Sequence, residues 1–251
     1  SDLGVMNLLL IAAGILLLPV PIINYLESLK TTELGNKNLD TQRSNKKLER
    51  DLLSGFMTLI KDPYLVSIGI FILLYVAMNT FVYFELRKFL IDFDRDTRTQ
   101  IWASIDLAVN LLAITTAIFA TSRIAKRFGM SMTLAIIPLL MIVGWMAVAV
   151  SPILMVLIGL QIIRRAGNYA ITKPGREMLF TMVSNEARYK AKPVIDIVIY
   201  RGGDMLTAWF YTLLTASFGL GLNFIALIAA CLAGLWAFTG VYLGRKYKGI
   251  S

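Results

Sequence analysis

Apolar runs of about twenty residues, set end to end with polar links, leave this chain one environment in which to fold. A bilayer core about 30 Å thick asks for about 20 apolar residues per spanning helix. Seven segments of the 251-residue sequence reach that length, over about 3–25, 63–84, 101–121, 132–150, 153–172, 193–218 and 222–243. Composition agrees, with 57% hydrophobic residues, 16% charged and a mean hydropathy of +0.68. Soluble domains average about 45–50% apolar and about 25% charged. The expected fold class is all-α, a polytopic membrane protein of seven transmembrane helices.

The links divide the chain. Residues 1–25 read as a transmembrane helix, and its length and the missing basic flank set it apart from a signal segment. Residues 26–62 hold ELGNKNLDTQRSNKKLERD and read as a cytoplasmic linker, solvated or carrying a short surface helix. Residues 63–251 read as six helices joined by short links. Basic residues gather on one side: Lys30, Lys37, Arg43, Lys46, Lys47, Arg50 and Lys61, the links Arg123–Arg127 and Arg188–Lys192, and the RKYKG end. The opposite side has Arg87, Lys88, Arg95 and Arg98 in a single link. Lys and Arg mark cytoplasmic loops, so the C-terminus is expected in the cytoplasm and the start outside.

The same rule accounts for the formal charge of +9. No aromatic-interleaved basic groove and no zinc-finger spacing is present, so the expected partner is the lipid bilayer and not nucleic acid. One helix, a basic linker and six helices is what a twelve-helix transporter looks like when read from its sixth helix onward. In the major facilitator architecture two six-helix halves enclose a midplane site. An N-terminal transporter half is then the expected partner of this chain.

Several chemistries have nothing to work with. The chain has no His and one Cys, Cys231, which lies in an apolar run and reads as packing. No phosphate-binding glycine loop or complete dinucleotide fingerprint occurs, and no His, Cys or carboxylate cluster offers a metal site. No enzyme activity, cofactor or metal is expected.

What stands out is the stretch 164–204, RRAGNYAITKPGREMLFTMVSNEARYKAKPVIDIVIYRGGD, where Arg164, Arg165, Lys173, Arg176, Glu177, Asp196, Arg201 and Asp204 interrupt apolar sequence. An ionisable side chain at membrane depth costs several kcal/mol and normally faces a partner or a wet cavity. Arg164 and Arg165 follow ILMVLIGLQII and sit about 17 Å down their helix, near the midplane. Adjacent helical residues point about 100° apart, so the two cannot face one partner unless the surroundings are polar. Guanidinium groups match phosphate and carboxylate in bidentate fashion, which suits an anionic substrate. Ion pairs with Asp106, Asp196 or Asp204 account for them equally well. Asp106 and Asn110 share a face of the third helix, and Glu85 near the outer end of the second reads as an interfacial charge or a ligand. Pro174-Gly175 is expected to break the fifth helix, and the glycines between Arg201 and Asp204 to permit close approach or a hinge. In S122-R-I-A-K-R-F-G129 the positions of Arg127 and Gly129 resemble the facilitator loop G-x-L-A-D-R-x-G, whose Arg helps lock the cytoplasmic face. Arg123 and Arg127 are candidate gating charges on that likeness, and an ordinary positive loop fits as well.

The stretches KDPYLVSIGIFILLY, YFELRKF, IDLAVNLL, RRAGNYAITKPGREMLF and YKAKPVIDIVIYRGGD together resemble the ATP/ADP translocase (nucleotide transporter) family, in the branch found in bacteria. The resemblance covers most of the chain from Lys61 to Asp204. It implies a facilitator-like fold in a bacterial cytoplasmic membrane and exchange of nucleotides between compartments. Glu85 looks like the family's Glu late in the seventh helix of the full protein. Arg176 and Glu177 match its basic-acidic pair after a Pro, and Arg201 stands where the family has a Lys before paired glycines.

The expected function is secondary active transport by alternating access, of a nucleotide or another phosphorylated anion. Its substrate-binding set is Arg164, Arg165, Lys173, Arg176, Arg201, Glu85, Asp106 and Asn110. Its counter-charges and gates are Glu177, Asp196, Asp204, Arg123 and Arg127. A facilitator-type transporter of a non-nucleotide substrate, and a transporter-derived membrane sensor without transport, remain the alternatives.

Overall fold

The computed structural model describes residues 17, 19–25, 52–119 and 121–250. Two compact units divide the chain, Ser1–Arg50 and Asp51–Ser251. Within the first, the described residues 17 and 19–25 are helical and exposed. The remainder of the first expected span, and residues 26–51 of the expected linker, lie outside the described residues.

The second unit is helical throughout its described residues, without a strand. Its elements are α1 (Leu52–Lys61), α2 (Pro63–Leu90), α3 (Arg95–Phe119), α4 (Thr121–Val150), α5 (Leu154–Gly167), α6 (Lys173–Leu179), α7 (Asn185–Pro193), α8 (Tyr200–Thr212) and α9 (Leu222–Ile250). Wide, π-helical turns over Asn168–Thr172, Val194–Ile199 and Leu213–Ser217 join α5 to α6, join α7 to α8 and end α8.

Helix starts follow local chemistry. Asp62 accepts the Tyr64 backbone N–H at 2.8 Å while Pro63, which has no N–H to leave unsatisfied, opens α2. The Asp94 carboxylate caps α3 by accepting the Asp96 and Thr97 backbone N–H groups at 3.0 Å each. Hydrogen bonding from Thr97 holds that exposed carboxyl below its ordinary range. Ser184 caps α7 through the Ala187 N–H.

Among the described residues, four helices are long and apolar enough to cross a membrane: Pro63–Leu90, Arg95–Phe119, Arg127–Val150 and Leu222–Gly249. This corrects the expectation of seven. The fifth and sixth apolar runs are helical, but each carries charges. Wide turns at the end of the fifth and at both ends of the sixth leave only the short regular helices α5 and α8, so neither is an uninterrupted apolar span. A seven-helix, facilitator-like arrangement therefore does not describe this chain; a helical membrane protein does.

Helix α2 is the spine. It packs against α9, α8, α5 and α1, and its apolar span is 61% buried, against 11% for α3. Lipid tails are as apolar as Leu, so in a bilayer helices gain by close packing, and small residues permit it. Helix α9 follows this rule along α4. Ala226, Ala229, Ala233 and Ala237 are buried at helical spacing, and Gly240 and Gly244 continue their line. A Cβ on Gly244 would lie 2.2 Å from the Ser131 Cα, and one on Gly240 3.0 Å from the Leu134 carbonyl oxygen. Trp145, Trp236, Phe71 and Phe81 are the large buried side chains of the interior.

Helix α4 bends where Gly129 adopts φ 72° and ψ 176°. That region is closed to residues with a Cβ. Tyr64, in the first turn of α2, donates to the Leu179 carbonyl at 3.2 Å, which sets the end of α6 level with the start of α2.

Candidate functional site

Arg164 lies ten residues into α5, and Tyr75 twelve into α2, so both sit about 15–18 Å from the starts of their helices. They meet at mid-height of the bundle. Arg164 is 2% exposed. Its Nη1 donates to the Tyr75 hydroxyl at 3.4 Å, and its Nη2 to Gln161 Oε1 at 2.9 Å, one turn back on the same helix. The guanidinium carbon stands 5.9 Å from the Tyr75 ring centroid. Both hydrogen-bonding partners are neutral, and Arg164 forms no ion pair among the described residues. Its Nε–H is buried without an acceptor among the described residues. An arginine kept charged at this depth needs compensation, because stripping an ion of water costs several kcal/mol.

Around this cation the bundle gathers further polar groups. The Tyr200 hydroxyl from α8 faces that of Tyr75, with ring centroids 6.3 Å apart. Asp204, one turn on from Tyr200, is within electrostatic reach of Arg164 from another helix and of Arg201 on its own, and it interacts with the Asn79 side chain of α2. Trp236 of α9 lies 5.8 Å from Tyr75, and its indole N–H is also buried without an acceptor. The site is therefore rich in donors, has a single carboxylate at its edge, and is walled by aromatic rings.

No protein-family model, no curated protein and no solved structure matches this chain. Its chemistry has to be read from its own residues.

Arg165 points elsewhere, as the 100° step requires. It pairs with Asp106 of α3 where the two helices pack, and the Asp106 side chain stays 54% exposed. Asn110, a turn further on, is exposed too. A second cluster joins α6, α7 and the wide turn after α7. Arg176 Nη2 reaches Glu177 at 3.2 Å and Asp196 at 3.4 Å, and Lys192 Nζ reaches Glu177 at 2.6 Å. Burial pushes the Glu177 carboxyl up, but hydrogen bonds from Lys192 and Arg176 outweigh it and hold the group below the ordinary Glu value of 4.5. Lys192 and Asp196 also line a cleft of about 490 Å³ with Arg188.

Other expected residues stand apart from both clusters. Glu85 is not an interfacial charge: it is 2% exposed and accepts the Tyr211 hydroxyl hydrogen bond at 2.6 Å. Lys88, one turn on, reaches it at 3.4 Å. Lys173 and Arg201 are exposed at the starts of α6 and α8. Arg123 and Arg127 lie in the first turns of α4, exposed, and form no ion pair among the described residues. Pro174 does not break its helix. The wide turn before it, closed by the bond from Lys173 N–H to the Asn168 carbonyl, carries the helix onto the proline.

Sequence reading missed Tyr75, Asn79, Gln161, Tyr200 and Lys192. The signal was present as spacing: Tyr75 and Asn79, Gln161 and Arg164, and Tyr200 and Asp204 are pairs three or four apart, which share a helix face. Each pair lies on a buried or half-buried face among apolar residues, and apolar content masked it.

Proposed function

We propose that this chain is part of a secondary active transporter that carries an anion by alternating access. A nucleotide or another phosphorylated anion is the substrate class that fits best. One observation carries the reading: Arg164, buried at mid-height, has only neutral hydrogen-bonding partners and an Nε–H without an acceptor. A structural arginine at that depth would be expected to hold a carboxylate, as Arg165 holds Asp106. Arg164 instead keeps its charge for something that arrives and leaves.

The resemblance to the nucleotide transporters supports the same direction. In this reading the Arg176–Glu177–Asp196–Lys192 cluster is the gate. Its pairs link α6 to α7 and would exchange as the site opens to one side and then the other. A bacterial cytoplasmic membrane with the C-terminus inside is the setting that the basic links support.

The test is transport by the full-length protein in liposomes preloaded with ATP, ADP or inorganic phosphate, read as uptake of each labelled anion. Uptake is expected for at least one, and Arg164→Gln is expected to abolish it while membrane insertion persists. Unchanged uptake in Arg164→Gln would overturn the assignment. Arg165→Gln, which breaks only a half-exposed pair, is expected to keep most of the activity.

A further inference from the structure

We infer that the group recognised at Arg164 is a phosphoryl oxyanion that still carries a proton, with Asp204 as the acceptor of its O–H. This rests on the reading of Arg164 as an anion site and adds what that site selects.

The donors come first. The Arg164 Nε–H and the Trp236 indole N–H are both buried and both lack an acceptor, and they flank the same ring, Tyr75. The Tyr75 and Tyr200 hydroxyls engage each other, which leaves one further rotatable O–H. A site with donors left over asks for a ligand made of acceptors, and an oxyanion is such a ligand. Asp204 then breaks the pattern. It stands within electrostatic reach of Arg164, and an ionised carboxylate is an acceptor only. Beside a fully deprotonated oxyanion it would repel and leave two acceptors facing each other. Beside an oxyanion with one O–H it completes the set.

Hydrogen phosphate has that composition across the neutral range. A phosphomonoester has it only in its monoanion, which dominates below its second pKa of about 6. Sulfate, a carboxylate and the phosphodiester of a lipid headgroup lack the O–H altogether. The groups facing Asp204 are Arg201 and Tyr200 on its own helix, Arg164 from α5, and Asn79 from α2. None of these offers a second carboxylate to take over its role.

Binding of inorganic phosphate, sulfate and glycerol phosphate to the full chain in lipid nanodiscs, by equilibrium dialysis at pH 6.0 and pH 7.5, tests this. Phosphate is expected to bind at least about tenfold more tightly than sulfate at pH 7.5, the factor that one satisfied rather than opposed hydrogen bond gives. Glycerol phosphate is expected to approach phosphate at pH 6.0 and to fall away at pH 7.5, which separates a free phosphate from an ester. In Asp204→Asn the phosphate-to-sulfate ratio is expected to fall toward one through a gain in sulfate binding, and Asp204→Glu is expected to restore it. The gain in sulfate binding itself reports a folded variant. If Asp204→Asn binds neither anion, Asp204→Glu decides, since it keeps a carboxylate: a phosphate-to-sulfate ratio near that of the wild type supports the inference, and a ratio near one overturns it. Equal binding of both anions by the wild type, or a ratio unchanged in Asp204→Asn, overturns the inference and leaves the anion site standing. Binding of neither anion by the wild type overturns both.

Discussion

Glu85 shows how a buried carboxylate is kept at the scale of one residue. Its Tyr211 partner is itself clamped, with the Phe84 ring at 4.9 Å, the Phe81 ring edge-on at 5.3 Å and the Lys88 ammonium 4.8 Å from its centroid. Removing one half of such a pair costs more than removing both, because the survivor is left buried and unsatisfied. Tyr211→Phe is therefore expected to destabilise the protein by about 1–3 kcal/mol. Tyr211→Phe combined with Glu85→Leu is expected to recover part of that loss. Thermal unfolding in detergent checks both, and an additive double variant would refute the coupling. Residue identity was legible here and partner identity was not. The sequence marks Glu85 as an oddity, but its contact lies 126 positions away, and only packing reveals it.

Two glycines separate two costs at the scale of the element. Gly129 meets nothing within 4 Å but holds a positive φ, while Gly244 is helical and meets the backbone of Ser131. A side chain at Gly129 would strain its own backbone, and one at Gly244 would push two helices apart. Gly129→Ala is expected to cost about 1–3 kcal/mol through backbone strain, with the α4–α9 contact intact. Gly244→Leu is expected to cost a similar or larger amount through overpacking and to part those helices. A cysteine pair across α4 and α9 that crosslinks in wild type and in Gly129→Ala, but not in Gly244→Leu, checks the distinction. Helix existence was readable from apolar length, and four runs gave spans. The fifth and sixth were mistaken for plain spans because hydropathy averages over the wide turns and charges that interrupt them.

For the molecule as a whole, acid is the solvent change that the second cluster should feel first. The Glu177 carboxyl is held below 4.5, chiefly because Lys192 and Arg176 outweigh its burial. A depressed carboxyl stabilises the fold at pH values above its unfolded pKa, and that contribution disappears as pH falls through the folded value. The protection of residues 173–196 against hydrogen exchange, relative to the intrinsic rate at each pH, is expected to fall between pH 5 and pH 3. The step is expected to be absent in Glu177→Gln, and an identical pH profile in that variant would refute the link. The sequence read the region 164–204 as one working surface, and folding separates it into two. Arg164 and Asp204 come within electrostatic reach of each other, whereas Arg176, Glu177 and Asp196 meet at a helix end. What divides them is the wide turn over Asn168–Thr172, whose closing bond spans five residues instead of four. Such a turn holds one residue more than an α-helix would. Deleting any one of those five residues would remove the extra residue and let the helix close regularly within the same turn, so that Arg164 and Arg176 both keep their bearings. The frame of α6 is thus offset by one residue from that of α5, and the turn can absorb a single-codon deletion that would misalign the two clusters if it fell within the regular helix of α5.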